Sequence, residues 1–181
     1  LFELMRRLGR DMSDCGHGGS LGLLLDEGLL PPGALLAHVN YFGQGDLRRC
    51  AAAGHAVVHC PRSHAFFGHR PFDFESMRAA GVPVLLATDS LASCDSLSLF
   101  DEMREFASRQ PEVSPAAIFA MVTTGPAAAL GMPGQIGAIA EGAVADLIAI
   151  PDDGDDDMAA TALRHRGKVP FVMAGGRALR G

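Results

Sequence analysis

Val82-Pro83-Val84-Leu85-Leu86-Ala87-Thr88-Asp89-Ser90 is the stretch on which the reading of this chain turns. A short apolar run, bounded upstream by Gly81, stops at Thr-Asp-Ser. A run of that length and composition fits a strand buried on both faces, the kind found in parallel sheets. A carboxylate at the C-terminal tip of such a strand stands where α/β barrels place their chemistry. Asp89 is therefore the first candidate functional group.

Two upstream stretches have the same character. Ala34 to Asn40 (ALLAHVN) reads as a buried strand with His38 near its end, and Ala56 to Cys60 (AVVHC) as a second, stopped by Pro61 and carrying His59. Between them the pattern predicts a helix from Asp46 to Ala53, with Asp46 as its cap and Gly54 as its stop. After a His-, Phe- and Gly-rich loop from Arg62 to Pro71, a helix from Phe74 to Ala80 leads to the strand Pro83 to Thr88. Strand and helix alternate with a repeat of about twenty-five residues, which implies parallel strands joined by right-handed crossovers.

The flanks complete the outline. Residues 1–30 read as helical, with Leu1, Leu4, Met5 and Leu8 on one face, a glycine loop around His17, and a short helix from Leu21 to Glu27 capped by Ser20. Downstream, Ser96 to Ser108 and Pro115 to Leu130 read as two helices, the second capped by Ser114 with Pro115 at its first position. The tail changes character: glycines punctuate short strands at Leu147 to Ile150 and Pro170 to Ala174, separated by an acidic, solvent-facing loop from Asp152 to Asp157.

Composition narrows the classes. The 181 residues are 48% hydrophobic and 20% charged, with net charge −6. That is the profile of a globular protein rather than a disordered one. No basic cluster offers a surface for a nucleic acid polymer or an anionic membrane. Apolar runs are broken within about ten residues, too short to span a bilayer. The four cysteines, Cys15, Cys50, Cys60 and Cys94, form no CxxC pair. They read as reduced thiols of a cytoplasmic protein. The chain opens on Leu1 rather than Met, which points to a processed product or a truncated reading frame.

His38, His59 and Asp89 sit at or just past the tips of consecutive parallel strands and so converge on one edge of a sheet. Imidazole and carboxylate are the usual ligands of zinc and similar divalent ions. A metal-bound water beside an aspartate suits hydrolysis or deamination of a C–N bond. Each residue also has a plainer reading: a histidine in an apolar strand is often a satisfied core group, and an aspartate at a strand end is often a helix cap.

Ala37-His38, His59-Cys60-Pro61-Arg62-Ser63, Ala87-Thr88-Asp89-Ser90 with Ala92-Ser93, and Leu99 to Arg104 (LFDEMR) occur in order. Together they resemble the C-terminal half of an amidohydrolase-superfamily deaminase. The branch is that of the cytosine, guanine, S-adenosylhomocysteine and aminodeoxyfutalosine deaminases and the triazine hydrolases. Cys60 to His69 resembles most the aminodeoxyfutalosine-deaminase-like members. The tail Gly137-x-Ile139-x-x-Gly142-x-x-Ala145-Asp146-Leu147 resembles the return of such chains to their β-sandwich. The fold implied is α/β: strands 6–8 of a TIM (β/α)8 barrel over residues 1–133, and part of a small β-sandwich over 134–181.

The resemblance also implies roles. Asp89 corresponds to the eighth-strand aspartate that binds the metal and takes a proton from its water. His38 corresponds to the sixth-strand histidine that hydrogen-bonds the attacked group or the hydroxide. His59 lies at the substrate pocket or behind it as packing. Thr88 and Ser90 orient the loop around Asp89. Arg62 could pair with a substrate carboxylate or be a plain surface arginine, and Ser63 falls at the pocket rim. Ser63-His64 and Cys94-Asp95 depart from the Ser-Asn and Asn-Asn of many relatives. The cofactor implied is one divalent metal, zinc, in an incomplete site. The family's His-x-His and His-x-x-Glu pairs are missing: His17 has no Glu three residues on, and His64 and His69 are spaced otherwise.

The expectation is a fragment of a hydrolase that deaminates a nucleobase- or nucleoside-like small molecule, inactive by itself. A hydrolase of another C–N or C–halogen bond, a non-catalytic subunit or remnant, and an incomplete gene model stay open beside it. The edge before Leu35 is expected to expose apolar surface and favour association, a homo-oligomer included.

Overall fold

A computed structural model describes residues 2–11, 19–152, 154 and 157–179. The chain runs α1 (Phe2–Arg7), α2 (Ser20–Asp26), β1 (Leu35–Ala37), α3 (Asp46–Ala52), β2 (Ala56–His59), α4 (Pro61–Phe66), α5 (Phe74–Ala79) and β3 (Val84–Leu86). It continues with α6 (Leu99–Arg109), α7 (Pro115–Ala120), α8 (Thr124–Ala129), β4 (Leu147–Ala149), α9 (Met158–Arg164), β5 (Phe171–Ala174) and β6 (Arg177–Leu179). Cys15 and the loop around His17 lie outside the described residues.

The fold is α/β. β1, β2 and β3 form a parallel sheet in that order, with Leu36 opposite Val57, Val58 opposite Leu85, and His59 opposite Leu86. Every residue of β3 is buried, as an apolar run without alternation predicts. Val57, Val84 and Leu86 join Cys50 of α3, Met77 of α5, Met103 and Phe106 of α6 and Ile118 of α7 in one core. Phe106 meets Phe74 edge to face at 5.2 Å, a favoured aromatic geometry.

Several elements differ from the sequence expectation, each for a local reason. The first strand stops at Ala37, three residues short of Asn40, because the backbone turns over: His38 and Val39 have φ of 68° and 42°. The helix after it begins at Asp46 with Gly45 as its cap, and Asp46 instead accepts the N–H of Gly43 at 2.7 Å. Ser20 likewise lies inside α2, whose cap is Gly19. The expected loop from Arg62 begins as helix α4, with Pro61 at its N-terminus, where its missing N–H costs nothing. The expected single helix from Pro115 is two, α7 and α8, interrupted at Met121–Thr123. Pro126 lacks the N–H that a continuous helix would need there. Ser114 does cap α7, accepting the Ala117 N–H.

The tail is a second, antiparallel sheet of β4, β5 and β6. β6 and α9 were not legible as elements; Asp157, read as part of the acidic loop, caps α9 by accepting the N–H groups of Ala159 and Ala160. Gly175 and Gly176 join β5 to β6 with φ of 54° and 77°, as a two-residue hairpin turn requires. β1 lies at one edge of the parallel sheet. Leu23, Leu29 and Leu35, on or before it, are exposed. No helix among the described residues is long and apolar enough to cross a membrane.

Candidate active site

The polar tips of β1 and β3 meet in a cleft. His38, Asn40, Ser63, His64, Phe67, His69 and Asp89 line a space of about 110 Å³. His38 enters it from a turn rather than from a strand. Its N–H donates to the Val58 carbonyl at 2.7 Å, and the Val39 N–H donates back to the Ala37 carbonyl at 2.9 Å. That three-residue turn is centred on His38, and two successive non-glycine residues with positive φ carry backbone strain. Strain of this kind persists where the surrounding structure over-determines it, often at functional sites.

Asp89 lies three residues beyond the end of β3. Ser63 Oγ donates to its Oδ2 at 2.8 Å and Ser93 Oγ to the same oxygen at 3.0 Å. These two donors hold its carboxyl below the usual carboxylate range, and His38 acts in the same direction. Hydrogen bonds to the charged form have that effect. The result is an ionised carboxylate with Oδ2 occupied, in a cleft it shares with the His38 imidazole. Ser90 fixes the turn behind it: its carbonyl accepts the N–H groups of Ser93 and Cys94.

The other expected residues are placed differently from one another. Ser63, 1% exposed, spends its hydroxyl proton on Asp89. His59 is buried and outside the cleft lining, stacked on Phe72 with ring centroids 3.6 Å apart. Its Nδ1 has no partner among the described residues. Burial, then His64 and His38, push its pKa down to about 3, so its imidazole is neutral. Arg62 is turned away from the cleft and engaged: its guanidinium bonds the Asp95 carboxylate and donates to the Ser96 carbonyl at 3.2 Å. Thr88 is half-buried next to Asp89. Cys60 is buried, and burial first, then Glu102 and Asp89, push its thiol up to about 11. It therefore stays protonated, a poor nucleophile.

Sequence reasoning gave no role to Asn40, Phe67 or Ser93, and took His64 and His69 only as departures from the family's pattern. His64 Nε2 donates to the Arg70 carbonyl at 2.9 Å, and its Nδ1 lies 3.0 Å from the Asn40 side chain. Burial lowers the pKa of His64. His69 Nδ1 lies 3.2 Å from the Tyr41 hydroxyl. The available signal for His64 and Phe67 was Pro61, a helix opener rather than only a strand stop.

The cleft therefore offers a proton acceptor, Asp89, beside an imidazole. Asp89 and His38 by themselves are fewer donors than a metal ion takes from a protein. Among the described residues no three His, Cys, Asp or Glu side chains are grouped to hold an ion.

The model of the amidohydrolase family matches residues 12–179. A 5-methylthioadenosine/S-adenosylhomocysteine deaminase of Halobacterium salinarum is 38% identical over 145 residues, covering 76% of this chain and 33% of that protein. A zinc-bound adenosine deaminase structure from Xanthomonas campestris superposes with a TM-score of 0.79 at 23% identity, covering 98% of this chain and 47% of that one. The Helicobacter pylori aminofutalosine deaminase structure superposes with a TM-score of 0.71 at 27% identity, covering 82% and 38%. This chain spans about a third of the length of the halobacterial relative. With the motif order, the parallel sheet and the family match in agreement, the chain belongs to the amidohydrolase family.

Proposed function

We propose that this chain is part of a metal-dependent deaminase that acts on a nucleobase- or nucleoside-like substrate, exchanging a ring amino group for the oxygen of water and releasing ammonia. One observation carries the reading: Asp89 is held ionised by Ser63 and Ser93 at the tip of a buried parallel strand, in one cleft with His38. An ionised carboxylate so placed accepts the proton of the attacking water. His38, fixed by its constrained turn, hydrogen-bonds the attacked group. A divalent ion, zinc as in the Xanthomonas structure, lowers the pKa of water when bound. Asp89 would be one of its ligands, and the described residues do not complete its shell. The names of the relatives, methylthioadenosine/S-adenosylhomocysteine, adenosine and aminofutalosine deaminases, support a nucleoside-like substrate.

In this reading β1, β2 and β3 are the sixth, seventh and eighth strands of a (β/α)8 barrel. Residues 1–133 belong to that barrel and 134–181 to the β-sandwich. The free thiols of Cys50, Cys60 and Cys94 support a cytoplasmic setting, and the exposed apolar edge at β1 supports association with a second copy or another chain.

A second reading rests on the partial donor set: a non-catalytic subunit whose partner holds the metal. Ammonia release from 5′-methylthioadenosine, S-adenosylhomocysteine and adenosine, with zinc added, tests both. The chain alone is expected to release none, and sustained release would overturn the partial-site reading. Once the shell is completed, by longer chain or by a partner subunit, Asp89→Asn is expected to lower the rate at least ~10³-fold, within the range that a positioned general base contributes. Near-normal release by that variant overturns the assignment.

A further inference from the structure

The LFDEMR segment opens α6 and places a carboxylic acid wholly out of water. Glu102 is 0% exposed. Its Oε2 accepts the backbone N–H of Arg62 at 3.0 Å, and its Oε1 is buried with no partner among the described residues. Burying a half-satisfied acid is costly, and an apolar residue would pack there more cheaply. The one bond that Glu102 makes falls next to the site. Pro61, at the start of α4, has no N–H, so the Arg62 N–H is the first donor that this helix offers. The next residue is Ser63, whose hydroxyl donates to Asp89.

The Arg62 side chain works on the other donor. Its guanidinium bonds the Asp95 carboxylate, donates to the Ser96 carbonyl and lies 3.9 Å from Asp101 Oδ2. Those contacts tie down the loop that carries Ser93, the second hydroxyl on Asp89 Oδ2.

We propose that Glu102 and Arg62 are positioning residues for Asp89: Glu102 fixes the start of α4 and with it Ser63, while Arg62 fixes the loop after Asp89 and with it Ser93. Both donors then meet the same carboxylate oxygen and leave Oδ1 free to face the cleft. The purpose of this arrangement rests on the reading of Asp89 given under the proposed function. Its geometry does not, and the test below needs no turnover, so either can fail without the other.

The experiment follows the side-chain carboxyl ¹³C resonance of Asp89 at pH 7 in the 181-residue chain. Ser63→Ala and Ser93→Ala give the displacement for loss of each donor. Glu102→Leu is expected to move the resonance toward the Ser63→Ala position by at least half that displacement. Glu102→Gln, whose amide oxygen accepts the same N–H, is expected to restore the wild-type position. Arg62→Leu keeps its backbone N–H and is expected to move the resonance toward the Ser93→Ala position. A wild-type resonance in folded Glu102→Leu and in Arg62→Leu overturns the proposal, as does a Glu102→Gln variant that behaves like Glu102→Leu. Should Glu102→Leu not fold, Arg62→Leu decides: Arg62 is not among the residues of the apolar core, and a wild-type resonance there is fatal to the proposal.

Discussion

β3 of the parallel sheet is buried at Val84, Leu85 and Leu86 alike, whereas all three residues of β6 in the antiparallel sheet face solvent. Two strands of equal length are thus held by different forces. β3 is kept in place by side chains packed on both of its faces, so its register and its end point are strongly specified. β6 is held by its ladder to β5 and by a glycine turn. The candidate chemistry sits at the end of the first kind of strand. A carboxylate that must meet two hydroxyls within a few tenths of an ångström needs a support that does not slide.

Core truncation is the sharpest way to break this comparison. Phe106, 1% exposed, packs on Phe74 and lies beside His59. Phe106→Ala is expected to cost ~3–5 kcal/mol, the usual range for a buried aromatic. Urea melts followed by circular dichroism would show it as a lower midpoint. A loss below ~1 kcal/mol would mean that the parallel sheet is not held by side-chain packing.

Gly137, in the segment between α8 and β4, gives the next effect. It has φ of 80°, and a Cβ there would lie 2.5 Å from the Thr123 carbonyl oxygen. Both the backbone conformation and the space demand glycine. Gly137→Ala is expected to destabilise by ~2 kcal/mol, within the range of strained-backbone substitutions. An unchanged melting temperature would show that the interruption between α7 and α8, which puts Thr123 there, is not rigid.

The buried imidazole of His59, at the end of β2, makes stability acid-sensitive, and no such group lies in the three-stranded antiparallel ribbon of β4, β5 and β6. Its pKa is lowered from 6.5 to about 3, by burial first and then by His64 and His38. Between those values the unfolded chain takes up a proton that the folded chain refuses. Stability therefore falls as pH drops through that window, by about 1.4 kcal/mol per pH unit from this group. His64, lowered in the same direction, adds to the slope. His59→Phe should remove the first contribution: the difference in unfolding free energy between pH 7.5 and pH 5.5 is expected to shrink by about 1.4 kcal/mol relative to wild type. Equal slopes would mean that His59 is solvated.

The three parallel strands, their order and Asp89 were legible in the sequence because each is encoded locally, in a short apolar run with a polar stop. The cleft around Asp89 was legible only in part. Ser63 stood in a recognisable motif, yet its partner could not be read from spacing, since it reaches Asp89 from α4 across 26 positions. Arg62 has the chemistry of a substrate-binding residue and is engaged by Asp95 and Ser96, which only the folded loop brings to it. His64 and Asn40 meet across 24 positions. The turn at His38 broke a strand that pattern alone would have carried to Asn40, because φ is set by what surrounds a residue as well as by its type.

The smallest expected effect sharpens the contrast from the ribbon side. Leu179 is apolar and sits in a strand, as Leu86 does, yet it is 55% exposed while Leu86 is 3% exposed. If burial and not strand membership sets the energetic weight of a leucine, Leu179→Ala should change unfolding free energy by no more than ~0.5 kcal/mol. Leu86→Ala, the same chemical change in a strand of the same length, should cost ~2–5 kcal/mol. Parallel melts of the two variants read the ratio directly. A cost of more than ~1 kcal/mol at Leu179 would mean that the exposed face of β6 is covered in solution. The ribbon would then be a docking surface, and the two sheets would differ in what covers them rather than in how they are built.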